Sequence, residues 1–143
     1  GKVLYDSPVI CEYLDDLGGG GELFPKAGQE RWNILRLQAL ADGAMDAGIL
    51  ILMENRRPED ERSPGWIERQ ELAMNQALDA METDVDALGE AVTIAHITFC
   101  AALGWIDFRF GDSWRETRPA LADWYAGYSA RPSAMATEPK DIA

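Results

Sequence analysis

Between Val92 and Phe110 (VTIAHITFCAALGWIDFRF) the chain is apolar at nearly every position, interrupted only by His96, two threonines, Gly104, Asp107 and Arg109. A helix that is apolar on all sides belongs in the middle of a bundle. The run is too short and too interrupted to span a bilayer, so the pattern predicts a buried core helix. Thr93 suits its N-cap, with the hydroxyl accepting from the backbone N–H of His96. Val92 and Ile97 fall at the two positions of a hydrophobic staple. His96 stands where a capping box carries an acidic or amide residue. Neutral imidazole can accept a hydrogen bond there, whereas imidazolium would face the positive end of the helix dipole.

The rest of the chain reads as amphipathic helices arranged around that one. Lys2 to Tyr5 is a short run with Val and Tyr that suits a strand. Ser7 then suits an N-cap and Pro8 a first helical position, with Ile10, Tyr13, Leu14 and Leu17 on one stripe. Gly18 to Gly21 ends this helix and forms a joint, and Leu23-Phe24-Pro25 is an apolar anchor beyond it. This is the one plausible domain boundary, dividing 1–21 from 22–143. From about Gln29 to Asn55 a long pattern follows, with Ile34, Leu37, Ala41, Met45, Gly48 and Leu52 recurring at threes and fours. Glycine inside a helix costs about 1 kcal/mol against alanine. Gly43 and Gly48 therefore call for close approach by a helix, a partner subunit or a ligand. Ser63-Pro64 opens a third helix with a stripe of Ile67, Met74, Leu78, Met81, Val85 and Leu88, and Gly89 stands just past its end. Pro119 opens another, with Leu121, Trp124, Tyr125 and Tyr128 on one face. Arg131-Pro132-Ser133 breaks that helix and caps a final short turn. The predicted fold is an all-α bundle of about five helices.

Composition narrows the partners. A chain of 143 residues with 47% apolar content suffices for one domain with a sizeable core. Its 25 acidic and 13 basic residues give a net charge of −12. Such a chain repels nucleic acid and anionic membrane, so neither is an expected partner. Cys11 and Cys100 both lie within apolar helical patterns and read as core thiols of a reducing compartment. With no signal peptide or membrane span in the sequence, the expected location is cytoplasmic. The chain lacks an initiator Met and opens in mid-element, so a fragment of a longer protein is expected.

The usual catalytic constellations are missing. One histidine excludes multi-histidine metal sites, no cysteine pair has zinc spacing, and no metal is expected. The glycine run lacks the Lys and Ser/Thr of a phosphate loop and follows a helix, which favours a hinge. Ser7 and His96 have neither the context nor the spacing of a hydrolase triad. Asp6-Ser7 is different. A strand end leading into a helix N-terminus presents free N–H groups and partial positive charge. Ser7 offers a hydroxyl and an N–H to a carboxylate, and Asp6 can accept from an ammonium. Together they suit an amino-acid head group, although a plain capping role for Ser7 accounts for the same residues.

LYDSPVICEYLDD resembles the end of the thioredoxin-like domain of cytosolic, bacterial-type glutathione S-transferases, including the stripe Ile10, Tyr13 and Leu14. ELFP resembles the family's interdomain linker. TIAHITFCAALGWIDFRF resembles the capping-box helix of its all-helical C-terminal domain, with His96 where the family usually has Asp. ALADWYAGYSARPSAMATEP is similar to the helix and Arg-Pro-Ser turn that close many bacterial members. The resemblance implies that 1–21 is the end of a thioredoxin-like domain, a strand and a helix, and that 22–143 is the helical domain.

It further implies that Asp6 and Ser7 hold the γ-glutamyl part of glutathione, the co-substrate, and that no catalytic residue lies in this chain. The thiol-activating Ser, Cys or Tyr belongs to the first part of the thioredoxin-like domain, so the chain alone should be inactive. Met45, Gly48, Leu52 and Trp105 could line the electrophile site, and core packing explains each equally well. Asp42 and Asp46 could reach the active-site cleft or a dimer partner, or be solvated surface. The parent protein would be a homodimeric detoxifying transferase that conjugates glutathione to small electrophiles or reduces them with it. The alternatives are a non-catalytic interaction module of the same family and an acidic bundle that dimerises through the small-residue stripe.

Overall fold

The computed structural model describes residues 2–140 and is all-helical over that range. Helix α1 spans Ser7–Leu17, α2 Gly28–Asn55, α3 Pro64–Asp84, α4 Ile94–Phe110, α5 Pro119–Ser129 and α6 Pro132–Ala136. Turns of 3-10 helix at Glu59–Glu61, Val85–Leu88 and Ser113–Glu116 link them. Proline occupies the first turn of α1, α3, α5 and α6, where its missing N–H leaves no hydrogen bond unmade.

The expected strand at Lys2 to Tyr5 is not formed. A strand needs a neighbour for its ladder, and among the described residues there is no other strand. The bounding residues of the two expected domains, 1 and 141–143, lie outside the described residues.

Helix α4 is the most buried of the helices. Ile94, Ala95, Phe99, Ala102, Leu103 and Ile106 are buried on several sides of it, and α2 packs against both α3 and α4. The predicted stripe is buried, Met74, Leu78 and Met81 on α3 and Val85 and Leu88 in the 3-10 turn that follows it, with Ile67 at the margin. The α2 stripe is displaced. Ile34, Leu37, Ala41 and Gly48 face the core, but Ala44, Ala47 and Ile51 complete it, while Met45 and Leu52 are half-buried. Over 28 residues two neighbouring faces both satisfy the apolar spacing. The narrower, alanine-rich one lets α3 and α4 approach more closely.

Polar contacts between distant segments fix the helix ends. The Glu82 carboxylate of α3 accepts from Ala120 N–H at 3.1 Å and Leu121 N–H at 2.7 Å, supplying the cap that α5 lacks in its own sequence. Arg118, 6% exposed, donates to Asp79 Oδ1 (2.9 Å) and to Asn75 Oδ1 (3.2 Å). The backbone N–H of Ile94, first residue of α4, donates to Leu23 C=O at 3.1 Å.

Candidate functional site

Helix α1 starts one residue earlier in role than its sequence suggests. Asp6, not Ser7, is the N-cap, and its carboxylate accepts from Ser7 N–H. Carboxylate is at least as good a cap as hydroxyl and adds a favourable charge at the helix N-terminus. Ser7 becomes the first helical residue, and its hydroxyl makes no hydrogen bond among the described residues. Both are exposed.

The N-terminus of α1 lies beside the middle of α2. The Asp42 carboxyl is pushed up, first by burial and then by the carboxylates of Asp46 and Asp6. Asp42 in turn adds to the burial that raises the Cys11 thiol. Asp42 is half-buried and Asp46 exposed. Arg31 near the start of α2 pairs with Glu12 in the middle of α1 at 2.7 Å, holding the two helices together.

Below that junction a cavity of about 680 Å³ opens between α4, α5 and the segment running through α6 to Pro139. Met45, one turn along α2 from Asp42, and Trp105 are in its wall. Gly48 is not; it is buried against the Trp105 ring, which also meets Phe110 edge-on at 5.9 Å. Leu52, Asp42 and Asp46 likewise stand outside the lining. Of the residues suggested for an electrophile site, the structure therefore gathers Met45 and Trp105 around one space.

Residues not suggested for an electrophile site complete the wall. Tyr125 stands against Gly104, where an added Cβ would be 3.0 Å from its hydroxyl. Its phenol is pushed up to about 12, chiefly by burial and then by Asp107. Asp107 accepts from Trp114 Nε1 at 2.7 Å and also from Arg115, whose guanidinium reaches Asp112 at 3.2 Å. The Arg115 charge is thus neutralised within the wall, next to the Trp114 and Tyr125 rings at 5.0 and 5.4 Å. The signal for this group was Asp107 itself, a carboxylate inside an apolar run, which requires a cation or N–H partner when half-buried.

At the start of α4 the reciprocal capping box is present. Thr93 N–H donates to His96 Nδ1 at 3.2 Å, and Thr93 Oγ1 lies 3.1 Å from the same nitrogen. Nδ1 is therefore the acceptor, and Nε2–H donates to Gly89 C=O at 3.3 Å. Val92 is half-buried and Ile97 is 40% exposed, lining the cavity. Among the described residues no three His, Cys, Asp or Glu side chains are grouped to hold a metal ion, and no helix is long and apolar enough to cross a membrane.

Three comparisons place this arrangement among known proteins. A family model described as glutathione S-transferase, C-terminal domain, matches residues 64–127. The uncharacterized GST-like protein YibF of Escherichia coli K12 is 32% identical over 143 residues, spanning 97% of this chain and 71% of that one. A glutathione transferase family member from Pseudomonas fluorescens Pf-5, solved with bound glutathione, is 42% identical with a TM-score of 0.94, covering 99% of this chain and 70% of that one. A glutathione S-transferase from Methylobacillus flagellatus KT, solved with glutathione bound, is 34% identical with a TM-score of 0.92 over 98% of this chain and 72% of its own.

Proposed function

As this chain belongs to the glutathione S-transferase family and carries its all-helical C-terminal domain, we propose that the parent protein joins glutathione to small electrophiles or reduces them with it. Residues 1–21 are then the end of a thioredoxin-like domain and 22–143 the helical domain. Asp6 and Ser7 hold the γ-glutamyl head group: the Ser7 hydroxyl and the positive end of α1 meet its carboxylate, and the Asp6 carboxylate faces its ammonium. The cavity beside Met45 and Trp105 receives the electrophile. The thiolate sulfur bonds to the electrophilic atom there and the leaving group departs.

The observation that carries this reading is the freed Ser7 hydroxyl. Since Asp6 takes the capping role, Ser7 is left available for a ligand at the head of a helix that lies beside Asp42 of α2, one turn from the cavity residue Met45. These residues position glutathione rather than activate its thiol. No described residue is assigned the activating role, and the chain alone is inactive. The working protein is a cytoplasmic homodimer.

The test uses the intact protein. Ser7→Ala and Asp6→Asn each raise the glutathione Kd about tenfold, the equivalent of one charge-assisted hydrogen bond of about 1.4 kcal/mol, while the thermal midpoint of α2–α5 is unchanged. Unaltered glutathione affinity in both variants, or glutathione turnover by this chain alone, overturns the reading.

A further inference from the structure

His96 is nearly fully buried, 3% exposed, yet it is the only capping-box member that can change charge near neutral pH. Both of its nitrogens are committed in one sense. Nδ1 accepts from Thr93 N–H, and Nε2–H donates to Gly89 C=O. The ring packs against Trp124 and Tyr128 of α5, at 6.1 and 5.8 Å, and these two rings stack on each other at 5.1 Å. We propose that His96 is a proton-sensitive latch, which holds the first turn of α4 and the adjoining cavity wall in place when neutral and releases them when protonated.

Protonation puts a hydrogen on Nδ1, directly opposite the Thr93 N–H. Two donors then face each other and the N-cap contact is lost. The new charge also sits at the positive end of α4. From the turn between α5 and α6, the Arg131 guanidinium adds repulsion while stacking on the Tyr128 ring at 5.2 Å. Tyr128 and, one turn along α4, Cys100 are both held un-ionised by burial. In the loop before α4, Glu90 is exposed, and no ion pair to the ring forms among the described residues. Only neutral oxygens, the Gly89 carbonyl at 3.3 Å and the Thr93 hydroxyl at 3.1 Å, stand ready to accept from an imidazolium, and no carboxylate pairs with it among the described residues.

Burial first, with Arg131 adding and the Gly89 carbonyl opposing, lowers the proton affinity of His96 from its ordinary value of 6.5. The sign follows. The unfolded or loosened state takes up a proton at higher pH than the closed state does, so the latch is closed above about pH 6.5 and opens as pH falls below it. Because Ile97 and Tyr128 both line the cavity, opening reaches the ligand space as well as the helix end.

Hydrogen exchange of the intact protein, followed in peptides covering residues 89–99 at pH 7.5 and pH 5.5 and corrected for intrinsic rates, tests the latch. In the wild type protection falls about tenfold at the lower pH, while α3 peptides keep theirs. In His96→Gln, whose amide can accept from Thr93 N–H without titrating, the pH dependence disappears. His96→Asp serves the same comparison where the glutamine variant does not fold. Equal protection at both pH values in the wild type, or an undiminished pH-dependent loss in either folded variant, overturns the proposal.

Discussion

The ring of Trp105 fills the space that a side chain at residue 48 would need: a Cβ on Gly48 would stand 2.6 Å from its Cζ3. Two helices thus meet where one residue has no side chain, and the tryptophan edge that closes the contact also forms part of the cavity wall. Five residues earlier on the same helix, a Cβ on Gly43 would meet nothing within 4 Å.

The same substitution should therefore act with opposite sign at the two positions. Gly48→Ala is expected to destabilise by about 1–3 kcal/mol through overpacking, and the helical preference for alanine, about 1 kcal/mol, offsets only part of it. Gly43→Ala should stabilise by about 0.5–1 kcal/mol. Urea unfolding midpoints of the two variants check this, and midpoints moving in the same direction would refute it.

Glu82 is the capping group of a helix to which it does not belong. Replacing it by alanine strands the N–H groups of Ala120 and Leu121, at a cost of about 1–2 kcal/mol. The loss should appear as faster amide exchange in α5, with α2 little affected.

Arg118 spreads its guanidinium over Asp79 and Asn75 while itself buried. Lysine keeps the charge but not the planar fork. Arg118→Lys should cost about 2 kcal/mol, within the range for hydrogen bonds to charged groups, read as a lowered thermal midpoint. A midpoint unchanged within error would show that a single donor suffices there.

The joint after α1 depends on Asp15, whose carboxylate accepts from Gly21, Leu23 and Phe24 N–H at 2.9, 3.0 and 3.3 Å. These contacts, that to Leu23 foremost, hold its carboxyl below its usual value of 3.8. The stabilisation is present above that pH and fades as pH falls below it. At neutral pH, Asp15→Ala should expose the segment to thermolysin, which cuts before Leu23 or Phe24. A digestion rate equal to the wild type would argue that the glycine geometry alone holds the turn.

Local signals in the sequence were dependable where one residue decides the outcome. Pro8, Pro64, Pro119 and Pro132 each mark a helix start, Gly89 adopts positive φ just past a helix end, and the Thr93–His96 box forms. What escaped were decisions made by distant partners. The exception is local: Asp6 and Ser7 suit the cap about equally, and the structure gives it to Asp6. The α2 core face shifts to Ala44, Ala47 and Ile51 because α3 and α4 need close approach. Lys2 to Tyr5 has strand composition and no ladder partner among the described residues. The cavity was half visible: Met45 and Trp105 came from resemblance, whereas Tyr125, Asp107 and Arg115 meet only once α4 and α5 are side by side.

The hydrogen bond from Ile94 N–H to Leu23 C=O also defines where this unit can be cut. Graft boundaries are commonly drawn at a glycine run, and here that choice is sound only if the cut falls before Leu23. A chimera that replaces Leu23 and Phe24 along with the front segment would remove a buried anchor and an acceptor at the head of the central helix together. A graft that keeps α4 intact would therefore keep Leu23 and Phe24 with it.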